Sequence, residues 1–183
     1  MLDLKYEFNR STEPFAKEYI AAHQEWDCNS VDGVAPDAWM AFEGATFGTL
    51  SKMYKNLRNQ LPEASKIANE FGLNSARELA GWLEAMSVLR NIIAHHSRLW
   101  NKTLSKKLLD LHSSRNLWLR EPLTEDQKKK PYGVITAMIY LCNAVCPENT
   151  IKEQMLELLD ESPDVPYQRL GFTRGWREQP IWR

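Results

Sequence analysis

Cysteine and glycine are scarce in this chain, and a long apolar run is missing altogether. Three cysteines and eight glycines serve 183 residues. So low and odd a cysteine count builds no disulfide framework, and a chain of this length needs none, which excludes a disulfide-stapled secreted fold. No stretch approaches the roughly 20 consecutive apolar residues of a membrane-crossing helix. The opening residues, MLDLKYEFNRSTEP, mix acids with bases and lack the apolar segment of a signal peptide. The expected location is the cytoplasm, with no membrane partner. An excess of charge of either sign is absent too. A net charge of −1 and a pI near 6.4 argue against a protein coated in nucleic acid over its whole surface.

What is present is an ordinary globular composition, 43% hydrophobic and 26% charged, and enough length for one domain with a sizeable core. The charge is unevenly placed. Residues 1–89 carry a net −5, residues 90–130 a net +6, and residues 131–183 a net −2. A cationic stretch inside a near-neutral molecule can hold a polyanion locally. The run Lys128, Lys129, Lys130 taken alone reads as a solvated loop. Cys142 and Cys146 share a helix face ended by Pro147, but two thiols make half a zinc site, so both read as small buried side chains and no metal is assigned.

Strand signals are few, and apolar residues recur at spacings of three and four, which predicts an all-α chain. Thr12 to about His23 reads as a first amphipathic helix, followed by a polar loop, DCNSVDGVA. Two short helices, PDAWMAFEGA and TLSKMYKNL, are expected either side of a break at Gly44 to Gly48. LPEASKIANEFG should start near Pro62 and stop at Gly72. Ser75 and Glu78 have capping-box spacing and predict the start of a long helix. Along it Trp82, Met86, Leu89, Ile93 and His96 form one stripe. LSKKLLDLH is expected as a short helix, EPLTEDQKKKP as a charged loop, YGVITAMIYLCNAV as the most apolar helix, and ENTIKEQMLELLDE as an amphipathic one. Residues 162–183, rich in Pro, Gly and Trp, should be irregular. Trp39, Trp82, Trp100 and Trp118 have the chemistry to stack bases, but aromatics at helical spacing usually serve the core, and only Trp100 is placed near a site.

The chemistry concentrates in RNIIAHHSRLWN, Arg90 to Asn101. Projected at about 100° per residue on a continuing helix, Arg90, Asn91, His95 and Arg98 share one side, while Ile92, Ile93, His96 and Leu99 prolong the apolar stripe. His95 is then presented beside two guanidinium groups and an amide, and His96 is a core histidine satisfied by a hydrogen bond. The motif holds no carboxylate for a two-metal site and no Ser or Cys nucleophile beside a base. It offers imidazole for proton transfer and permanent cations for phosphate oxygens. That pairing suits metal-free RNA cleavage, in which the substrate's own 2′-hydroxyl attacks phosphorus and the protein moves protons and stabilises the phosphorane. No cofactor is called for.

Arg90 to His95 resembles the R-x4-6-H signature of HEPN-superfamily ribonucleases, and the full motif is similar to that of the Abi-like abortive-infection family of bacteria, AbiD/AbiF type. The likeness extends to PDAWMAFEGATFGTLSKMYKNL, Pro36 to Leu57, and to STEPFAKEY before it, so it covers about Ser11 to Asn101. It implies a single HEPN-like helical bundle over residues 1–183 and a homodimer that brings two motifs into one cleft. It also implies RNA cleavage to 2′,3′-cyclic phosphate and 5′-hydroxyl ends, restrained by an RNA or protein antitoxin. Carried over by residue, Arg90 stabilises phosphate, Asn91 orients the site and His95 is general acid or base. His96, at the R-x5 position, is a second candidate. Arg98 and Asn101 match the longer signature, and with Trp100 and Lys102 they would support the site or hold RNA. Family members carry a further helical segment upstream, expected to be absent here.

Two rivals use the same residues. A non-catalytic module would hold RNA or a partner on these cations without cutting. A structural bundle would bury Arg90, Asn91 and the histidines as a polar network at a dimer interface. Glu43, inside an apolar stretch, is either a carboxylate supporting Arg90 or Arg98 or a simple ion-pair partner.

Overall fold

The computed structural model describes residues 2–23, 35–57 and 61–183. Most of the expected polar loop, residues 27–34, lies outside them. Among the described residues there are eight α-helices, short 3-10 turns and no strand, so the chain is all-α. It divides into two compact units, residues 1–54 and 55–183.

The first unit holds α1 (Leu2–Asn9), α2 (Pro14–His23), α3 (Ala38–Glu43) and most of α4 (Phe47–Leu57). Its core gathers Leu4, Phe8, Ala16 and Ala41, with Phe15, Tyr19 and Met40 packed on it. The opening stretch therefore contains a helix that its composition did not announce. Among its described side chains LDLKYEFN buries two apolar ones, Leu4 and Phe8, too few for a visible periodicity. Glu7 contributes differently. Its carboxylate accepts from the Thr46 amide at 2.8 Å, the Thr46 hydroxyl at 2.9 Å and the Thr49 hydroxyl at 2.8 Å. It thereby caps the start of α4, where free amides would otherwise go unsatisfied. The break before α4 falls as expected, at residues 44–46.

The second unit is built on α6 (Ala76–Ala94) packed against α5 (Glu63–Glu70) and α7 (Pro131–Val145), with α8 (Ile151–Asp160) beyond. Chain exit from α5 needs glycine at position 72, where φ is +74° and a Cβ would stand 2.7 Å from Asn116 Nδ2. The α6 cap forms with one change. Ser75 Oγ accepts from the Glu78 amide at 3.2 Å, but the Glu78 carboxylate reaches the Asn74 amide, at 2.8 Å, rather than that of Ser75. Trp82, Met86 and Leu89 are buried as the stripe predicts. Trp82, Trp118 and Tyr140 form an aromatic cluster with ring centroids 5.1–5.5 Å apart.

Three expectations need correction here. LSKKLLDLH is not helical. The amides of Leu104 and Leu108 donate at 2.8 Å to the carbonyls of Lys129 and Lys128, and the Trp82 indole donates to the Leu109 carbonyl at 2.9 Å. Leucines four apart are buried by this pairing with distant chain, which overrides helix propensity. The lysine run is not a solvated loop either. Lys128 is buried between Asp110 at 2.7 Å and Glu125 at 2.6 Å, Lys130 is buried, and only Lys129 is exposed. The Asp110 hydrogen bond, seconded by that of Glu125, holds the Lys128 ammonium above the ordinary lysine range. Finally, α7 ends at Val145, so Cys142 is half-buried and Cys146 exposed instead of both being buried. The tail has no α-helix, only 3-10 turns at Tyr167–Leu170, Trp176–Glu178 and Pro180–Trp182, yet Phe172, Ile181 and Trp182 are core residues beside Tyr132.

Candidate active site

Helix α6 delivers Arg90 and Asn91 in its last turn and then stops. Its final α residue is Ala94, and His95 is the C-cap. The His95 amide still donates to the Asn91 carbonyl at 3.1 Å, so Asn91 and His95 stack one turn apart. The His96 amide then donates to Ile93 at 2.9 Å and the Ser97 amide to Ile92 at 3.0 Å, while His96 adopts φ +50°. This pair of bonds around a left-handed residue is a Schellman ending. It satisfies carbonyls the helix end would leave free, and the left-handed position usually belongs to glycine.

The projection of one helix through Leu99 is therefore corrected. His96 is exposed rather than a core histidine, Ile93 is 54% exposed, and the apolar stripe ends at Leu89. Arg98 lies beyond the helix and shares no helical face with Arg90. No glycine or proline marks the stop in the sequence, and the projection had nothing to end on.

A second reversal follows at once. The Lys102 amide donates to the Leu99 carbonyl at 3.1 Å, and Asn101, third in that turn, has φ +53°. Asparagine tolerates this conformation better than most residues. Among the described residues, His96 and Asn101 alone hold a positive φ without being glycine. Both belong to the motif, and both are exposed. A left-handed residue with a side chain costs roughly 1–2 kcal/mol, which glycine would avoid.

Arg90 Nη1 donates to Asn91 Oδ1 at 3.1 Å, which couples the guanidinium to the amide. Arg90, Asn91, His95, His96, Arg98, Asn101 and Lys102 are exposed, and Trp100 is half-buried. Among the described residues Arg90, Arg98 and Lys102 meet no carboxylate, whereas Lys106, Lys107 and Lys128 of the same basic stretch are all in ion pairs. Arg90, Arg98 and Lys102 thus keep uncommitted positive charge at the motif. That charge lies at the C-terminal pole of a 19-residue helix, whose partial negative charge disfavours an anion and favours these cations. Among the described residues no three His, Cys, Asp or Glu side chains group as a metal-binding set, and no helix is long and apolar enough to cross a membrane. Trp82 and Trp118 belong to the core cluster, while Trp39 is 60% exposed.

No curated protein and no solved structure matches the chain. The family model for Abi-like protein matches residues 1–101, which takes in α1 as well as the expected blocks and ends on the left-handed Asn101. That is more than half of the chain, and it closes on the last residue of the motif. The chain belongs to the family of Abi-like proteins, a membership that points to abortive infection as a defence against phage.

Proposed function

We propose that this Abi-like protein is a metal-independent endoribonuclease of the HEPN type, acting in the cytoplasm of an infected cell. One observation carries the reading. The two costly left-handed residues among those described are exposed polar side chains inside one motif, and backbone strain retained at exposed positions is a mark of function. His95 transfers a proton, Arg90 stabilises the charge on phosphorus, and Asn91 orients the guanidinium through their shared hydrogen bond. His96 is a second candidate for proton transfer. Arg98, Trp100, Asn101 and Lys102 hold the strand. The 2′-hydroxyl gives its proton to one imidazole as its oxygen bonds to phosphorus, and the P–O5′ bond breaks as an imidazolium protonates the leaving oxygen, giving 2′,3′-cyclic phosphate and 5′-hydroxyl ends.

One chain presents one Arg90 and one His95, while in-line transfer calls for proton movement at both the attacking and the leaving oxygen. A two-fold dimer with facing motifs supplies the second set. It would also cover Ile93, which a single chain leaves 54% exposed. An RNA or protein antitoxin is the restraint this chemistry requires in an uninfected cell.

The test is incubation of the purified chain with end-labelled RNA in excess EDTA. Cyclic-phosphate ends should accumulate, and His95→Ala and Arg90→Ala should each abolish them with helical content unchanged. Cleavage that needs Mg²⁺, or that proceeds on DNA, would remove the mechanism. RNA binding with no cleavage would leave a non-catalytic binding module.

A further inference from the structure

A second basic feature lies on the flank of α6, away from the motif. Helix α6 and the chain returning beside it border a groove of about 560 Å³, whose walls include Lys55, Arg77, Lys106 and Lys107. Gly81, in the groove wall, sets how closely that chain approaches. A Cβ there would stand 2.4 Å from Leu109 Cδ1, so the returning segment lies directly on the helix. Glu84 is the one carboxylate in the lining, and Lys107 pairs outside it with Glu125 at 3.3 Å. Glu84 binds Lys106 at 2.9 Å and Lys55 at 3.1 Å, and those ammoniums, Lys106 first, hold its carboxyl below the ordinary carboxylate range.

The groove and the motif share a helix face. Arg77 precedes His95 by eighteen residues, which is about five full turns, and Glu84 projects within about 20° of Asn91. The returning chain then carries Arg98, Lys102, Lys106 and Lys107 in order, from the motif back to the groove. Cations therefore recur along the chain between the motif and the groove. Its far end is the N-terminal pole of α6, where Ser75 and Ala76 line the groove and the helix dipole favours an anion.

We propose that this groove is a phosphodiester track, which holds a single strand of RNA on the flank of α6 and leads it to the motif. The substrate assignment rests on the ribonuclease reading. Single-stranded RNA is favoured over an acidic protein for two reasons. The groove is lined by the small residues Ala76, Ala80 and Gly81, with Leu109 its one large apolar side chain, which is little for the aromatic and apolar anchors of a protein interface. Cations also recur along the chain from the motif to the groove, at Arg98, Lys102, Lys106 and Lys107, which suits a repeating charge. The Glu84 pairs are partly exposed and so weakened by solvent, which lets phosphates share their lysines.

The experiment measures binding of a short unstructured RNA to the His95→Ala protein across a potassium chloride series. Arg77→Gln and Lys107→Gln should each weaken binding and flatten the log-log salt slope by about 0.7. Glu84→Gln should do the opposite, tightening binding and steepening the slope, an effect that damage to the fold could not produce. On the His95-containing protein, Arg77→Gln should raise KM for long RNA with kcat little changed. Unaltered RNA binding in all three variants would overturn the track. So would polyglutamate binding that depends on these residues while RNA binding does not, which would assign the groove to an acidic protein. If the His95-containing protein never cuts RNA, yet Arg77→Gln and Glu84→Gln shift binding in opposite directions, the track stands and only the ribonuclease reading fails.

Discussion

His96 places a side chain where the backbone asks for none. The Schellman ending of α6 needs a left-handed residue at this position, and glycine would fill it more cheaply. We expect His96→Gly to stabilise the protein by roughly 0.5–1 kcal/mol, the relief of the left-handed penalty net of the entropy that glycine adds to the unfolded chain. Cleavage should fall if the imidazole takes part. Thermal unfolding and RNA cleavage measured on the one variant check both. A less stable variant would show that the histidine ring itself supports the turn. The motif's residue types were legible in the sequence, and so was the end of α5 at Gly72. The direction of the two histidines was not, because the residue that turns the chain is itself one of them.

Elements with local start and stop chemistry were the legible ones. The long helix α6 was marked by Ser75 and Glu78, and α7 by its apolar run, whereas α1 was held by a contact from Glu7 to residues 39 and 42 positions away. No local pattern reports such a bond. The same holds for residues 95–126, over thirty residues with no helix between α6 and the 3-10 turn at Gln127–Lys129. A connection this long is uncommon in a compact domain unless it carries function. Between residues 103 and 110 its backbone is fastened at Leu104 and Leu108, which donate to Lys129 and Lys128, and at Leu109, which accepts from Trp82. Amide exchange should follow that pattern. The interiors of α6 and α7 should exchange slowly, the Leu104 and Leu108 amides should be protected, and those of Arg98, Leu99 and Trp100 should exchange quickly. Uniform protection across residues 97–110 would show that the segment is tied down by more than these bonds.

For the whole molecule the sequence yielded the helical class and the uneven charge, but not how that charge is spent. Lys106, Lys107 and Lys128 of the basic stretch neutralise carboxylates within their own unit, while Arg90, Arg98 and Lys102 stand at a motif that one chain leaves open to solvent. Two such motifs facing one another repel, so an empty dimer should weaken at low salt and tighten when RNA lies between its halves. Sedimentation and cleavage followed over one concentration series should therefore fall together on dilution. Full activity in a monomer would end the composite-site argument. The end of α7 supplies a handle for that measurement. Burial, and then the neighbouring Cys146, push the Cys142 thiol up, while Cys146 stands exposed at the helix cap. An electrophilic dye added at neutral pH should thus meet Cys146 ahead of Cys142. With Cys28 replaced by serine, the protein can carry a single reporter on a surface that neither the motif nor the groove uses.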